Sequence, residues 1–508
     1  MIFRKPLRVN KLKKLQKYAE VYYMEEKGRK KITIHKQLSK LYLRENPQIT
    51  KVHPYFDEPQ HIKKHLIDKQ LLELYKRVCV ESGEVVLFTW VIPDGFGDYY
   101  AQLEAADILT QAYPSLRIKL VTLIHKDTPL PATLPLHSCC FLRFKGIVQE
   151  VIEPDPFSQE TLEILRNADL ILQLPTYYPY TQDLLEQIRK VPSQKSMPKY
   201  ELLGEFGWID RPYFNPKTAA RCMGLHPLEK GIFLKKIPVA TKKCKNRFNL
   251  AYTKTQQGGY LYLYALLKAT EHDSRDLDIA FFDMSHMLEN VPSLFSGSRW
   301  GLKTVHLFYK NHFTQIPLAQ EGKILRLYHK EQLPHSEFLT LLSQSEDLIG
   351  CTGDGSISEA ISSGSMYFID PLLHQRAFVK DLLLLAKTRI PEYREAIEWI
   401  RLMIPSSEEK KEWLEEQDVQ ALSLSLQDRG EKMGVLLQNP RTKKGIQKLS
   451  KIICKEHSVN DFLCHLVNRT LVHAKRPELE IFEAVALDGF LFGDKSAITV
   501  LREISEFL

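Results

Sequence analysis

The sequence predicts an α/β fold of two successive parallel-sheet domains, with helical extensions at both ends. Three observations carry this expectation. From Glu84 onward, short β-rich runs alternate with helical stretches of ~10–15 residues, the texture of βαβ units. The alternation comes in two batches, separated by an irregular, proline-containing stretch over 187–245. A chain of 508 residues is also too long for one hydrophobic core, so two or three domains are expected.

Before the first batch, residues 10–24 and 60–79 read as amphipathic helices, with Leu and Tyr recurring at three and four. Residues 1–80 hold twenty Lys/Arg and eight Asp/Glu, a net of +12, so the remaining 428 residues sum to −4 within a total of +8. Such a segment suits an acidic partner or an anionic membrane surface; the plainer reading is the solvated faces of helices. Aromatic residues are not interleaved with the basic ones, which argues against nucleic acid. The first batch of strands is expected at 84–92, 116–124, 138–144 and 169–174. The second is expected at 247–252, 277–283, 303–308, 323–329, 347–351 and 366–369. Beyond about residue 385 the chain reads helical to its end. The implied domains are a basic extension over 1–83, α/β domains over 84–245 and 246–395, and a helical region over 396–508.

No apolar run of about 18 residues predicts a membrane span, and the start, MIFRKPLRVNKLKK, lacks the apolar core of a secretory signal. Eight cysteines without a CxxC pair read as reduced thiols of a cytoplasmic protein.

Two strand-to-helix turns stand out. The first lies in VIPDGFGDYYAQLEAADIL, residues 91–109, at the end of the first strand. Gly95 and Gly97 permit a tight turn or close backbone approach. Asp98 precedes a helical run and could cap it; Asp94, on the strand side, has no capping role. Two carboxylates here would bind a cationic acceptor, or one would take a proton from an attacking nucleophile. They would repel a pyrophosphate, which a dinucleotide fingerprint would place at this turn.

The second turn lies in DLIGCTGDGSISEAISSGSMYFIDP, residues 347–371. A strand ending at Cys351 is followed by a Gly-rich turn and a helix that Ser356 is expected to open. A helix N-terminus is suited to a diphosphate. The small residues Gly353, Gly355 and Ser358 would let phosphates approach, and Ser356 adds a hydroxyl. Asp354 is out of place beside phosphates unless it binds sugar hydroxyls. In open α/β sheets ligands bind outside the C-terminal ends of strands. The expectation is therefore a cleft enzyme with its two sites on different halves of the chain. This second pattern, late in a two-batch α/β chain, is that of nucleotide-sugar binding in two-domain GT-B glycosyltransferases.

At these turns the sequence resembles the bacterial protein-arginine rhamnosyltransferases that modify elongation factor P. That family carries D-N-F-G-D after its first strand, where this chain has Asp94-Gly-Phe-Gly-Asp98. It carries G-E-D-S before a helix and then A-x-x-A-G; this chain has Gly353-Asp-Gly-Ser356 and Glu359-Ala-Ile-Ser-Ser-Gly364. Pro227-Leu-Glu-Lys-Gly-Ile-Phe233 and Leu250-Ala-Tyr252 match two further segments, so the likeness runs over roughly 84–395. The resemblance implies a GT-B fold of two Rossmann-like domains facing a cleft, and inverting, metal-independent sugar transfer. It implies an arginine of a protein acceptor, engaged by Asp98 with Asp94 assisting. Asp354 falls on the family's essential glutamate. The donor set it implies is Gly353, Gly355, Ser356, Ile357 and Ser358, with Tyr252 near the base. No cofactor is implied beyond the nucleotide sugar as co-substrate, and no metal. Two positions depart from the family: Gly355 replaces an aspartate and Glu359 an arginine. The donor nucleotide therefore stays open among dTDP-, UDP- and GDP-sugars.

Asp276-Leu-Asp278 spells a metal-binding DxD, but at the start of a strand, the wrong end for a metal site. Two rival readings remain. One is a nucleotide-sugar epimerase, which would need acid/base pairs on the donor side. The other is a non-catalytic binding or effector protein on the same scaffold, to which the basic extension adds translocation into a host cell.

Overall fold

The computed structural model describes residues 83–91, 97–125, 138–144, 157–175, 181–206, 221–226, 229–238, 245–282, 300–310, 312–330, 333–372, 375–404 and 419–475. They form two compact units, one of 83–204 with 459–475 and the other of 205–458. The helices expected before residue 80 lie outside the described residues.

The first unit opens with β1 (Gly83–Val91), whose sequence GEVVLFTWV is a nearly continuous apolar run buried on both faces. A strand central to a parallel sheet requires this composition, because helices cover both of its faces. There follow α1 (Gly97–Ala112), β2 (Leu116–His125), β3 (Ser138–Phe144), α2 (Gln159–Asn167), β4 (Leu170–Gln173), α3 (Thr181–Lys190) and β5 (Lys199–Gly204). The strands run in the order β3-β2-β1-β4-β5, all neighbours parallel. That is the Rossmann order. Helix α2 starts where the Ser158 hydroxyl accepts the Thr161 amide at 3.2 Å, and it buries Leu162 and Leu165 with Val86 and Phe88 of β1.

The second unit contains β6 (Arg221–Cys222), β7 (Arg247–Tyr252), α4 (Gln256–Ala269), β8 (Leu277–Phe282), β9 (Leu302–Tyr309), β10 (His312–Pro317) and β11 (Lys323–Lys330). It continues with α5 (His335–Gln344), β12 (Ile349–Cys351), α6 (Asp354–Ser363), β13 (Tyr367–Ile369), α7 (Arg376–Arg389), α8 (Arg394–Met403), α9 (Val419–Gln438) and α10 (Pro440–Glu456). Its sheet order is β10-β9-β11-β8-β7-β12-β13. The run β11-β8-β7-β12-β13 repeats the Rossmann order of the first unit, so the expected pair of Rossmann-like sheets is present. A final helix, α11 (Val459–Lys475), returns to the first unit, where the Tyr113 hydroxyl donates to the Cys464 carbonyl at 3.2 Å.

Three features differ from the sequence expectations. The irregular stretch holds strand β5, whose KYELLG is half polar because it lies beside β4 with few buried positions. The edge strand β10 is antiparallel and exposed, so it lacks the apolar signal of its neighbours. The units also divide after Gly204 and after Ser458, so the stretch from 396 is shared between them. Helices α8–α10 stay with the second unit because α9 packs closely on α4. A Cβ on Gly430 would stand 2.4 Å from the Tyr264 Cβ, and one on Gly434 2.5 Å from the Lys268 Cβ. Among the described residues no helix is long and apolar enough to cross a membrane.

The start of the second sheet's strands is a charged edge. Arg247 holds Asp347 through Nε at 2.6 Å and Nη2 at 2.6 Å. Arg326 holds both DxD carboxylates, Asp276 at 2.8 Å and Asp278 at 3.1 Å, so this pair is committed to an ion pair across β8 and β11. Beside them Lys323, 2% exposed, donates its ammonium to the carbonyl of Thr270, the residue that ends α4. Burial lowers its pKa to about 8. Between about pH 8 and the ordinary 10.5 the unfolded chain holds a proton that the folded one has released. This group therefore makes stability rise with pH across that window. Denaturant unfolding at pH 7.5 and 9.5 should show wild type gaining stability relative to Lys323→Met at the higher pH.

Candidate functional site

Each sheet reverses its strand order beside its first strand, between β1 and β4 in one unit and between β7 and β12 in the other. Successive crossovers leave such a point in opposite directions, so a crevice opens outside the C-terminal ends of the two strands. The glycine turn singled out at 353–356 sits at one of these points, after β12, and the start of α1 with Asp98 sits at the other, after β1.

In the second unit, Gly353 occupies φ 83°, ψ 146°, a region essentially closed to residues with a Cβ. Helix α6 begins immediately after it, at Asp354, two residues before the expected start. An α-helix gives its first-turn amides no intrahelical acceptor, and here these belong to Asp354, Gly355 and Ser356. The first helical bond runs from the Ile357 amide to the Gly353 carbonyl at 3.1 Å. Ile357 is fully buried, and Ser358 is 2% exposed, so both serve the packing of α6. The Ser356 hydroxyl donates back to the Thr352 and Gly353 carbonyls rather than capping the helix. The Thr352 hydroxyl, in a residue 1% exposed, has no hydrogen-bond partner among the described residues. A buried polar group so left is a departure that calls for a partner.

The loop after β7 lies on the other side of this crevice. The Thr255 hydroxyl caps α4 by accepting the Gly258 amide at 2.9 Å. Asp370, just past β13, accepts from the Lys254 amide at 2.9 Å, the Thr255 amide at 2.8 Å and the Thr255 hydroxyl at 2.7 Å. Burial raises its pKa although these hydrogen bonds oppose the shift. Tyr252, at the end of β7, meets Phe282 and Phe338 edge-on at 5.3 and 5.6 Å. Its ring is part of an aromatic cluster, and burial, with the Glu359 charge second, raises its hydroxyl pKa.

Glu359, which stands where the resembling family has arginine, is 3% exposed and does not lack a counter-charge. Its Oε1 lies 3.1 Å from the Lys235 ammonium and 2.5 Å from His335 Nε2. Burial pushes its pKa up, but the Lys235 charge and the His335 hydrogen bond outweigh it and hold the carboxyl below its ordinary value.

In the first unit Asp98 is the second residue of α1, half-buried, so it lies inside the first turn rather than before it. One turn on, Gln102 is fully buried. Its amide donates to the Leu87 carbonyl at 2.6 Å and accepts from the Thr122 hydroxyl at 2.7 Å, which fixes α1 over β1 and β2. Asp98 and Gln102 share one face of the helix. At the end of β4 the buried Gln173 accepts from the Tyr200 hydroxyl. Asp94 lies outside the described residues.

Asp370, Gln375, Lys235, His335 and Gln102 were missed in the sequence. Only Asp370 carried a signal there, as a carboxylate ending the strand MYFIDP.

No protein-family model matches the chain, and no curated protein sequence matches it. Among solved structures it is similar to the spinosyn rhamnosyltransferase SpnG, at 12% identity over 77% of this chain and 99% of that one, TM-score 0.36. It is similar to an alpha-glucosyltransferase in complex with UDP and a 13-mer DNA, at 10% identity over 77% and 100%, TM-score 0.39. MurG of Acinetobacter baumannii overlaps 72% of this chain and 99% of its own at 14% identity, TM-score 0.31. Superpositions that loose carry no argument about activity, and the Rossmann-like assignment rests on the strand orders.

Removing the Asp370 carboxylate leaves two partly buried amides without acceptors. Asp370→Ala should cost about 2–4 kcal/mol in denaturant unfolding, at about 1–2 kcal/mol for each partly buried donor left unpaired. Asp370→Asn keeps one oxygen for both amides and an amide group that can donate to Thr255, so it should cost only about 1 kcal/mol.

Proposed function

We propose that the chain is a GT-B glycosyltransferase that moves a sugar from a nucleotide-sugar donor, bound in the second unit, to an acceptor engaged by the first. One observation carries this reading. The Asp98-bearing start of α1 and the N-terminus of α6 each fall at the strand-order reversal of their own Rossmann-like sheet.

The two turns differ in the charge they accept. The amides at the start of α6 favour an anion such as the diphosphate of the donor. In the transfer, a bond forms between the acceptor atom and the anomeric carbon while the carbon–oxygen bond to the diphosphate breaks. The diphosphate leaves with the electron pair, and the first-turn amides stabilise its growing charge. Asp98 takes the proton of the attacking group, with Asp94 assisting. In-line attack inverts the anomeric centre and calls on no metal or added cofactor. The acceptor is a protein side chain, arginine by the family resemblance, and its cationic guanidinium suits a carboxylate turn. The donor is a dTDP-, UDP- or GDP-sugar. The basic segment before residue 80 supplies a contact for an acidic partner or an anionic membrane surface.

A second reading is a non-catalytic protein on the same scaffold. It is favoured by the Ser356 hydroxyl, which is committed to two carbonyls of its own loop.

Thermal unfolding against dTDP-, UDP-, GDP- and CMP-sugars separates the two. A ligand at 100 times its dissociation constant adds about 2.7 kcal/mol. The proposal expects one nucleotide to stabilise the protein, and a flat panel with well-folded protein supports the second reading. With the donor found, Asp98→Asn should lower transfer by about 10²–10⁴-fold, as loss of a general base does, and leave the donor shift intact. Unchanged transfer in that variant would remove Asp98 from the mechanism.

A further inference from the structure

We infer that Asp354 and Gln375 are positioning residues of the donor loop, holding its glycine turn in shape rather than touching the sugar. This rests on the proposed function and assigns Asp354 a job that the family resemblance does not.

Gln375 is fully buried between β13 and α7. Its Oε1 accepts from the Leu372 amide at 3.2 Å and from the Gly353 amide at 3.4 Å. Its Nε2 donates to Asp354 Oδ1 at 3.0 Å. The other carboxylate oxygen, Asp354 Oδ2, accepts the Phe206 amide at 2.8 Å. Phe206 is itself fully buried and stacks on Phe378 of α7 at 4.4 Å, with planes 8° apart. Three separate pieces of chain thus meet at Asp354: the loop after β12, the loop after β13, and the backbone just beyond β5.

This geometry accounts for a carboxylate at a helix end where an anion is expected to bind. Each Asp354 oxygen already has a protein donor, so its charge is engaged by Phe206 and Gln375. Gln375 also accepts the amide of Gly353, the residue before Asp354, whose φ of 83° would otherwise relax in a free loop. Holding that turn before the ligand arrives keeps the α6 amides in place and removes an ordering cost from binding.

The positioning role has a kinetic signature. If the latch only prepares the loop, losing it weakens binding of everything that uses the loop, whether or not a sugar is attached. If Asp354 touches the sugar, the loss is confined to ligands that carry one.

Wild type, Asp354→Asn and Gln375→Glu are titrated calorimetrically with UDP, dTDP and GDP and with the matching nucleotide sugars. The first variant presents an NH₂ to the Gln375 donor; the second faces Asp354 with a like charge. Both should weaken diphosphate and nucleotide sugar by the same factor, about tenfold, the worth of one buried donor left unpaired. The KM for the donor should rise with kcat unchanged, the mark of lost uniform binding. A loss confined to the nucleotide sugar, a fall in kcat, or unaltered affinity would each overturn the inference. A wild type that binds none of the three diphosphates would instead sink the donor site itself. Should the variants not fold, amide hydrogen exchange on the ligand-free wild type still decides. Slow exchange at Phe206 and Gly353 is expected, and exchange at the rate of an open loop refutes the latch.

Discussion

The Asp370 carboxylate stands just past the last strand of the second sheet, yet its hydrogen bonds go to the loop after the first. Strands β7 and β13 flank β12, so this one side chain spans the point where the strand order reverses. At such a point the sheet's own ladder organises nothing beyond the strand ends, and the loops must be tied by side chains. Asp370 ties the α4 side, and Gln375, five residues on, ties the α6 side. The crevice is therefore bounded by two loops fixed from a single stretch, 370–375. Both ties are buried, so each is costly to break.

Most of the sheet framework was legible because parallel strands buried on both faces are written as continuous apolar runs. GEVVLFTWV and LILQ announce β1 and β4 without any help from their neighbours. The strands that escaped, KYELLG and HFTQIP, are ones with little or no buried face, so hydrophobicity could not mark them. The turn at 353–356 was legible through glycine and carboxylate chemistry packed into a few residues. The ties that hold this turn were not, because Phe206, Asp354 and Gln375 meet from positions 148 and 21 residues apart. A lone buried Gln before a helix carries no local pattern. Its meaning exists only once the sheet has brought the loops together.

Glu359 shows how a departure from a family pattern can be physically consistent. Read alone, a carboxylate in place of an arginine reverses the local charge. In the fold, Lys235 reaches it from the extended segment after Gly231, and its backbone amide also donates to the Ser362 hydroxyl at 3.2 Å. Cation and anion have been distributed over two parts of the chain, while the buried site keeps a pair. A buried charge stripped of its partners is strongly destabilising, so Glu359 depends on Lys235 and His335. The carboxylate at 359 is thus matched in charge within this unit.

The two units share a strand order but place opposite chemistry at its reversal. In the second, glycine at 353 and the N-terminus of α6 make a positive end, and the Asp354 carboxylate there is engaged by Phe206 and Gln375. In the first, Asp98 lies at the start of α1, the helix after β1 on the other side of the reversal, and puts negative charge at that helix end. Gln102 then anchors that helix to two strands through buried hydrogen bonds, so the carboxylate rides on a rigid element instead of a loose turn. On the proposed function, one scaffold used twice would accept an anion in one unit and a cation or a proton in the other. Group transfer from an anionic leaving group to a basic acceptor needs that asymmetry. A duplicated fold with two like-charged turns could bind two nucleotides but could not bring such a pair to reaction.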